Sequence, residues 1–185
     1  MKRRTLLTFV LAALCVLIMG TVAIAAPVIN YDSAKKFSVG FEHTSFSNDI
    51  NGNSFYVEGQ LNPNYILGLE RTTFKSDFGS KDKVTDLYLQ YQLVPASQSN
   101  AGIRAIISHR TDDGFMVGAL AYKKIYNNKL NAYGSIKYST GESYFDYAVG
   151  ATMDLAKDVD LDVHYRGLSG DNDIDGFGFG LNLKL

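Results

Sequence analysis

The chain carries three histidines, His43, His109 and His164, and only His164 has chemically useful company at close spacing. Asp162 lies two residues before it, on the same face of an extended strand, where a carboxylate can orient an imidazole as a general base. Ser169 follows five residues later, and an odd spacing turns it to the opposite face. His43 and His109 fall on the apolar parity of their segments. No nucleophile, base and orienting carboxylate converge, so no catalytic residue is assigned. The run Asp171-Asn172-Asp173-Ile174-Asp175-Gly176 opens like a calcium loop. Its closing acidic ligand would fall at Asn182, and no helical pattern flanks it, so it reads as a polar hairpin and neither metal nor cofactor is assigned.

A larger set of charged residues is united by position. Glu42, Glu58, Glu70, Asp86, Arg104, Lys137, Asp146, Asp160, Asp162, His164 and Arg166 each alternate with apolar neighbours. If these residues line the inside of a barrel of eight to ten strands, the interior is only wide enough for side chains or a narrow file of water. The first expectation is a plug of ion pairs and hydrogen bonds. The second is a narrow, mildly cation-preferring channel, because acidic members outnumber basic ones.

The elements that must position them are ten alternating segments, at 36–46, 54–62, 65–74, 84–94, 101–110, 114–125, 130–139, 143–154, 158–167 and 175–185. In the ninth, Val159, Leu161, Val163 and Tyr165 oppose Asp160, Asp162, His164 and Arg166. In the last, Phe177, Phe179, Leu181, Leu183 and Leu185 alternate with Gly178, Gly180, Asn182 and Lys184. Both faces of 114–125 are mostly apolar, so parity leaves its register open, and a different folding of residues 101–125 would reduce the count to eight. Segments of this length suit membrane-crossing strands of ~9–11 residues.

The N-terminus bears on destination. Lys2, Arg3 and Arg4 precede an apolar stretch from Leu6 to Ile18, and Ala23-Ile24-Ala25 forms a small-residue processing site. We expect residues 1–25 to be a signal peptide and residues 26–185 the barrel domain. A retained anchor is the rival reading. Cys15, the only cysteine, falls inside this segment, so the exported chain is expected to lack disulfides. Its removal leaves 15 basic against 19 acidic residues, a balance that gives no reason for a nucleic-acid partner. Beyond it no apolar run approaches the ~20 residues of a membrane helix, and mean hydropathy is -0.06. Membrane residence then requires a closed barrel, whose backbone groups are all paired internally.

Connections and aromatics add detail. With both ends of the barrel in the periplasm, outer connections are expected at 47–53, 75–83, 111–113, 139–142 and 168–174, longer on average than the inner turns. Phe46, Phe74, Phe115, Tyr138, Tyr165 and Phe177 lie toward outer strand ends, and Tyr65, Tyr91, Ile125 and Tyr126 toward inner ones, which suggests two interfacial girdles. Arg71 follows the parity of Leu67 and Leu69, so either it reaches lipid head groups or a bulge shifts the register.

The ending VDLDVHYRGLSGDNDIDGFGFGLNLKL resembles the small OmpA/OmpX-like, porin-like outer-membrane β-barrels. That resemblance is architectural over residues 26–185 and specific over about the last thirty. It implies a terminal strand, here Phe177, Phe179, Leu181, Leu183 and Leu185, read by the barrel-assembly machinery; the family's usual last residue is Phe or Trp, where this chain has Leu185. The reading is therefore an all-β, antiparallel, up-and-down transmembrane barrel of ten strands. We expect a monomeric, non-enzymatic outer-membrane protein, structural or porin-like, in contact with lipid and lipopolysaccharide. A lipid-modifying barrel enzyme and a soluble exported barrel holding an apolar ligand are the alternatives. The soluble barrel would invert every strand's faces.

Overall fold

The computed structural model describes residues 36–77, 81–96, 100–125, 129–170 and 173–185. The expected signal peptide, Tyr126 and part of the acidic hairpin lie outside the described residues. Ten strands follow in order: β1 (Phe37–Phe46), β2 (Ile50–Asn62), β3 (Tyr65–Ser76), β4 (Lys81–Val94), β5 (Ala101–Arg110), β6 (Gly114–Ile125), β7 (Leu130–Ser139), β8 (Phe145–Ala156), β9 (Val159–Ser169) and β10 (Ile174–Lys184). Each pairs antiparallel with its sequence neighbours, and β10 returns to β1, so the sheet closes into a barrel. The count is ten rather than eight, and closure leaves no edge strand. The end formed by connections 47–49, 77–80, 111–113, 140–144 and 170–173 is termed upper; the other is lower.

Inside and outside follow the alternation. Phe177, Phe115, Val149, Ile107 and Leu87 are all more than half exposed on the outer wall, whereas Glu42, Asp146 and Asp162 are about 2% exposed or less within the lumen. A soluble ligand-binding barrel would show the reverse. β6 resolves the same way, with Met116, Leu120 and Tyr122 inward and Phe115 and Val117 outward. Leu120 and Tyr122, together with Ile106, Tyr88 and Tyr133, give one side of the lumen an apolar lining.

Two expectations are corrected. Neither Phe46 nor Phe74 is part of an outer girdle: Phe46 shares the inward parity of Glu42 and Thr44 and is 7% exposed, Phe74 shares that of Glu70 and Thr72, and the two rings pack together inside the upper mouth. The upper connections are also shorter than expected, because Ile50–Asn53 and Lys81–Lys83 remain in strands. Backbone pairing there continues on polar side chains, since every peptide group seeks a partner whatever its side chain. The β1–β2 turn closes over residues 47–49 with Asn48 and Asp49 at φ 60° and 55°, a region that Asn and Asp enter more readily than most residues. Other aromatics do pair by height on the outer wall: Tyr65 with Tyr91 low, and Tyr138 with Phe145 and Tyr165 with Phe177 high. No bulge occurs at Arg71, which points outward.

The lumen is fitted by tyrosines lying over glycines. Gly40 faces Tyr56, Gly68 faces Tyr88, Gly102 faces Tyr122 and Gly150 faces Tyr133 as direct cross-strand partners. A Cβ at Gly40, Gly68 or Gly102 would overlap the ring of its tyrosine. Each glycine thus leaves a flat recess that an aromatic ring fills across the strand pair. We expect Gly102→Ala to destabilise the barrel by about 1–3 kcal/mol through overpacking. Combining it with Tyr122→Ala should recover much of that loss, read as non-additivity of urea midpoints for the folded band in electrophoresis.

Candidate functional site

The lumen is built by even-numbered positions on nearly every strand, because strand pleating sends alternate side chains inward. All eleven charged residues singled out in the sequence lie on this inner face; ten are buried and the Lys137 side chain is 12% exposed. The structure divides them into groups by height and side.

Asp146 on β8 is the hub of the largest group. It accepts hydrogen bonds from Arg166 Nε at 3.2 Å and Nη2 at 2.9 Å, and from Arg110, while Lys137 Nζ stands 3.3 Å away. Asp86 accepts from Lys137 Nζ at 2.7 Å and from Arg110 Nη2 at 3.3 Å. Arg166 also donates to Glu70 at 3.0 Å, so the network runs from β3 across the lumen to β9. At the upper mouth Arg110 donates to Tyr144 Oη at 2.7 Å, and Tyr144 donates to Asp113. Burial, with help from that bond to Asp113, holds the Tyr144 phenol above its usual range against the pull of Arg110.

Two further groups sit apart. Glu58 accepts from Tyr88 Oη at 2.7 Å and Gln90 Nε2 at 3.2 Å, and Arg104 donates to Gln90 and Gln92 at 3.1 Å each while lying 5.0 Å over the Tyr122 ring. Near the lower end Lys184 donates to Asp160 at 2.8 Å. A last group joins β1 to β9. Asp162 binds His164 Nδ1, Thr44 Oγ1 is 3.2 Å from His164 Nε2, and Glu42 Oε2 is 3.7 Å from that same nitrogen.

Thr44, His164 and Asp162 follow the order of nucleophile, base and orienting carboxylate. Thr44 is only 1% exposed, however, and does not line the central cavity. That cavity, of about 70 Å³, is bounded by Glu42, Glu58, Glu70, Lys137, His164 and Arg166 among others. It has room for a few waters, not for a lipid chain or peptide. Ser169 pairs with Phe145 on the outer face, away from His164, and His43 and His109 stack on Phe179 and Phe115 outside the lumen.

Sequence reasoning left out several participants. Arg110 has the parity of Arg104 and ends its strand, and Lys184 alternates with the terminal leucines, so periodicity alone could have placed both inside. Tyr144 falls in the alternating segment 143–154 with the parity of Asp146, although the strand begins only at Phe145, and Asp113 lies in a connection, where no periodic signal exists. The outward set of β10 is seen in Phe177 and Phe179, both at least half exposed, with Leu181 and Leu183 half-buried between β1 and β9 and Leu185 exposed beyond the strand end.

No family model matches the chain, and no curated protein matches it in sequence. Among solved structures, the KdgM porin in complex with disordered oligogalacturonate aligns over 80% of this chain and 99% of its own, at 9% identity and a TM-score of 0.52. The chain shares the fold of that porin. The N-terminal β-barrel domain of Pseudomonas aeruginosa OprF (10% identity, 82% and 98% covered, TM-score 0.44) and Neisserial surface protein A (12%, 83% and 98%, 0.42) are also similar.

Removing the hub should be costly. Asp146→Asn leaves Arg166, Arg110 and Lys137 facing a neutral group, and we expect a loss of about 3–5 kcal/mol in urea unfolding of the folded band. Asp86→Asn should cost less, because Lys137 and Arg110 both retain Asp146.

Proposed function

We propose that the protein is a non-enzymatic outer-membrane barrel, structural or porin-like, whose lumen is largely closed by its own side chains. The observation that carries this reading is the inversion of faces in a closed ring: a continuous apolar exterior around buried, mutually paired charges. Hydrocarbon favours that exterior, and it tolerates a sheet only when no edge is left unpaired. The export signal expected at residues 1–25 directs the chain to the compartment where such barrels assemble. Aromatic pairs at both heights fit the two interfaces. Arg71, Lys75, Lys81 and Lys83 all point outward on the upper part of the β3–β4 hairpin, where phosphate-bearing lipopolysaccharide head groups would meet them. The terminal strand β10 would serve as the signal for the barrel-assembly machinery. With its edges closed, the barrel works as a monomer.

The network and the small cavity support closure by side chains. A narrow cation path is the second reading, favoured by the excess of buried carboxylates (Glu42, Glu58, Glu70, Asp86, Asp146, Asp160 and Asp162) over Arg104, Arg110, Lys137, Arg166 and Lys184 among the described residues. The same excess disfavours polyanions, so the oligogalacturonate held by KdgM is not the solute we assign here.

Expressed with its own signal, the protein should fractionate with the outer membrane, require detergent for extraction, and migrate differently before and after boiling. In planar bilayers the purified protein should show no unitary conductance steps. Regular cation-selective steps would replace the plug with the narrow channel, and recovery in the soluble periplasm would overturn both.

A further inference from the structure

We propose that Glu42 and His164, with Asp162 orienting the imidazole from Nδ1, form a buried binding site for a first-row divalent cation of the Zn²⁺ type inside the barrel wall. This holds whether or not the lumen conducts. One donor atom from each residue lies within 4.8 Å of the other two, and all three side chains are about 1% exposed or slightly more. The described cations of the lumen make their bonds elsewhere: Arg110, Lys137 and Arg166 to Asp86, Asp146 and Glu70, Lys184 to Asp160 and Asp154, and Arg104 to Gln90 and Gln92.

Two observations beyond the clustering of acids point to a ligand. First, Glu42 Oε1 is buried with no hydrogen-bond partner among the described residues. Buried carboxylate oxygens normally find a partner, and leaving them bare is expensive. The Glu42 Oε2 to His164 Nε2 separation of 3.7 Å is too long for a hydrogen bond but suits two ligands on one cation with bonds of ~2.0–2.2 Å.

Second, the floor beneath the three residues has been cleared of side chains. Glu42 and Asp162 flank Gly180, and Thr44 and His164 flank Gly178, as direct partners on either side of β10. A Cβ at Gly178 would collide with the His164 ring at Nε2, and one at Gly180 would crowd Glu42 Cγ. On the other side of β9 a Cβ at Gly150 would meet His164 Cβ at 2.7 Å. Only glycines at these positions let donors from β1 and β9 lean together over β10.

Donor chemistry selects the ion. Two carboxylates and a neutral imidazole carry two negative charges, which a divalent cation neutralises. The nitrogen donor favours zinc or a neighbouring transition metal over calcium or magnesium, which prefer all-oxygen sites. Asp162, by holding Nδ1–H, would leave Nε2 for the metal, which would replace the hydrogen bond that Nε2 shares with the Thr44 hydroxyl at 3.2 Å. Water in the adjoining cavity, which Glu42 and His164 both line, can complete the coordination.

The test uses the full exported protein, purified from membranes in detergent, unfolded in urea with chelator, and refolded with or without ZnCl₂. We expect one zinc per folded barrel by elemental analysis after dialysis, and weakening by at least about 100-fold in Glu42→Gln and His164→Gln. His43→Gln and His109→Gln, on the outer wall, should bind as the parent does. Glu42 Oε1 has no hydrogen bond to lose, so Glu42→Gln keeps the heat-dependent mobility shift and decides the matter alone should His164→Gln fail to fold. Less than a tenth of an equivalent in the folded parent overturns the site. Zinc binding undiminished in Glu42→Gln overturns it equally, because the metal then sits elsewhere.

Discussion

Ring closure at ten strands leaves an interior hardly wider than the side chains it must hold, and most features of this protein answer to that limit. Large inward residues fit only where the facing strand gives way, which is why Tyr56, Tyr88, Tyr122 and Tyr133 each lie against a glycine. Charges fit only in mutual contact, since an isolated buried ion in so narrow a space has neither water nor partner. Asp146 accordingly gathers three cations, and Arg166 reaches across to Glu70 rather than remaining with one neighbour.

An ionic interior is not the most stable filling such a ring could have. Well-packed apolar residues usually match or surpass buried ion pairs, and the side lined by Ile106 and Leu120 shows that this barrel can use them. A polar lumen has a different physical advantage, because a strand that alternates polar and apolar residues never accumulates the ~20 apolar residues that insert as a helix. β6 marks how near the chain comes to that boundary. Its opening GFMVGALA is apolar on both faces, and the run ends at Tyr122-Lys123-Lys124.

What could be read from the sequence divides along the same line. Parity is a local property, so the ten segments and the division of Glu42 and Asp162 from Phe177 and its kind onto opposite faces are visible in the sequence; which face turns inward is fixed by the closed ring. β6 defeated parity because both its faces are apolar, and only the partners Ser108 and Ser139 beside Met116 fix its register. Phe46 and Phe74 have the height of a girdle but the parity of the lumen, and parity decides. Polar composition makes the upper connections look longer than they are, whereas ladder hydrogen bonds extend wherever two backbones run side by side. Which charges meet is not local at all. Arg166 and Glu70 are 96 residues apart, and nothing short of the closed ring brings them to 3.0 Å.

The last strand shows how a single pattern can answer to two constraints. Seen from outside, the alternation of Phe177, Phe179, Leu181 and Leu183 is an apolar outer wall completing the barrel beside β1. Its intervening residues change character halfway: Gly178 and Gly180 above, Asn182 and Lys184 below. A uniformly polar inner face would have served a simple plug, as Lys184 does by binding Asp160. Glycine instead occupies the two rows where Glu42, Thr44, Asp162 and His164 converge, and a side chain there would hold these groups apart. Bringing two carboxylates together is unfavourable unless something positive lies between them. His164 supplies at most one charge toward that need, and the space cleared over β10 is where a cation can supply the rest.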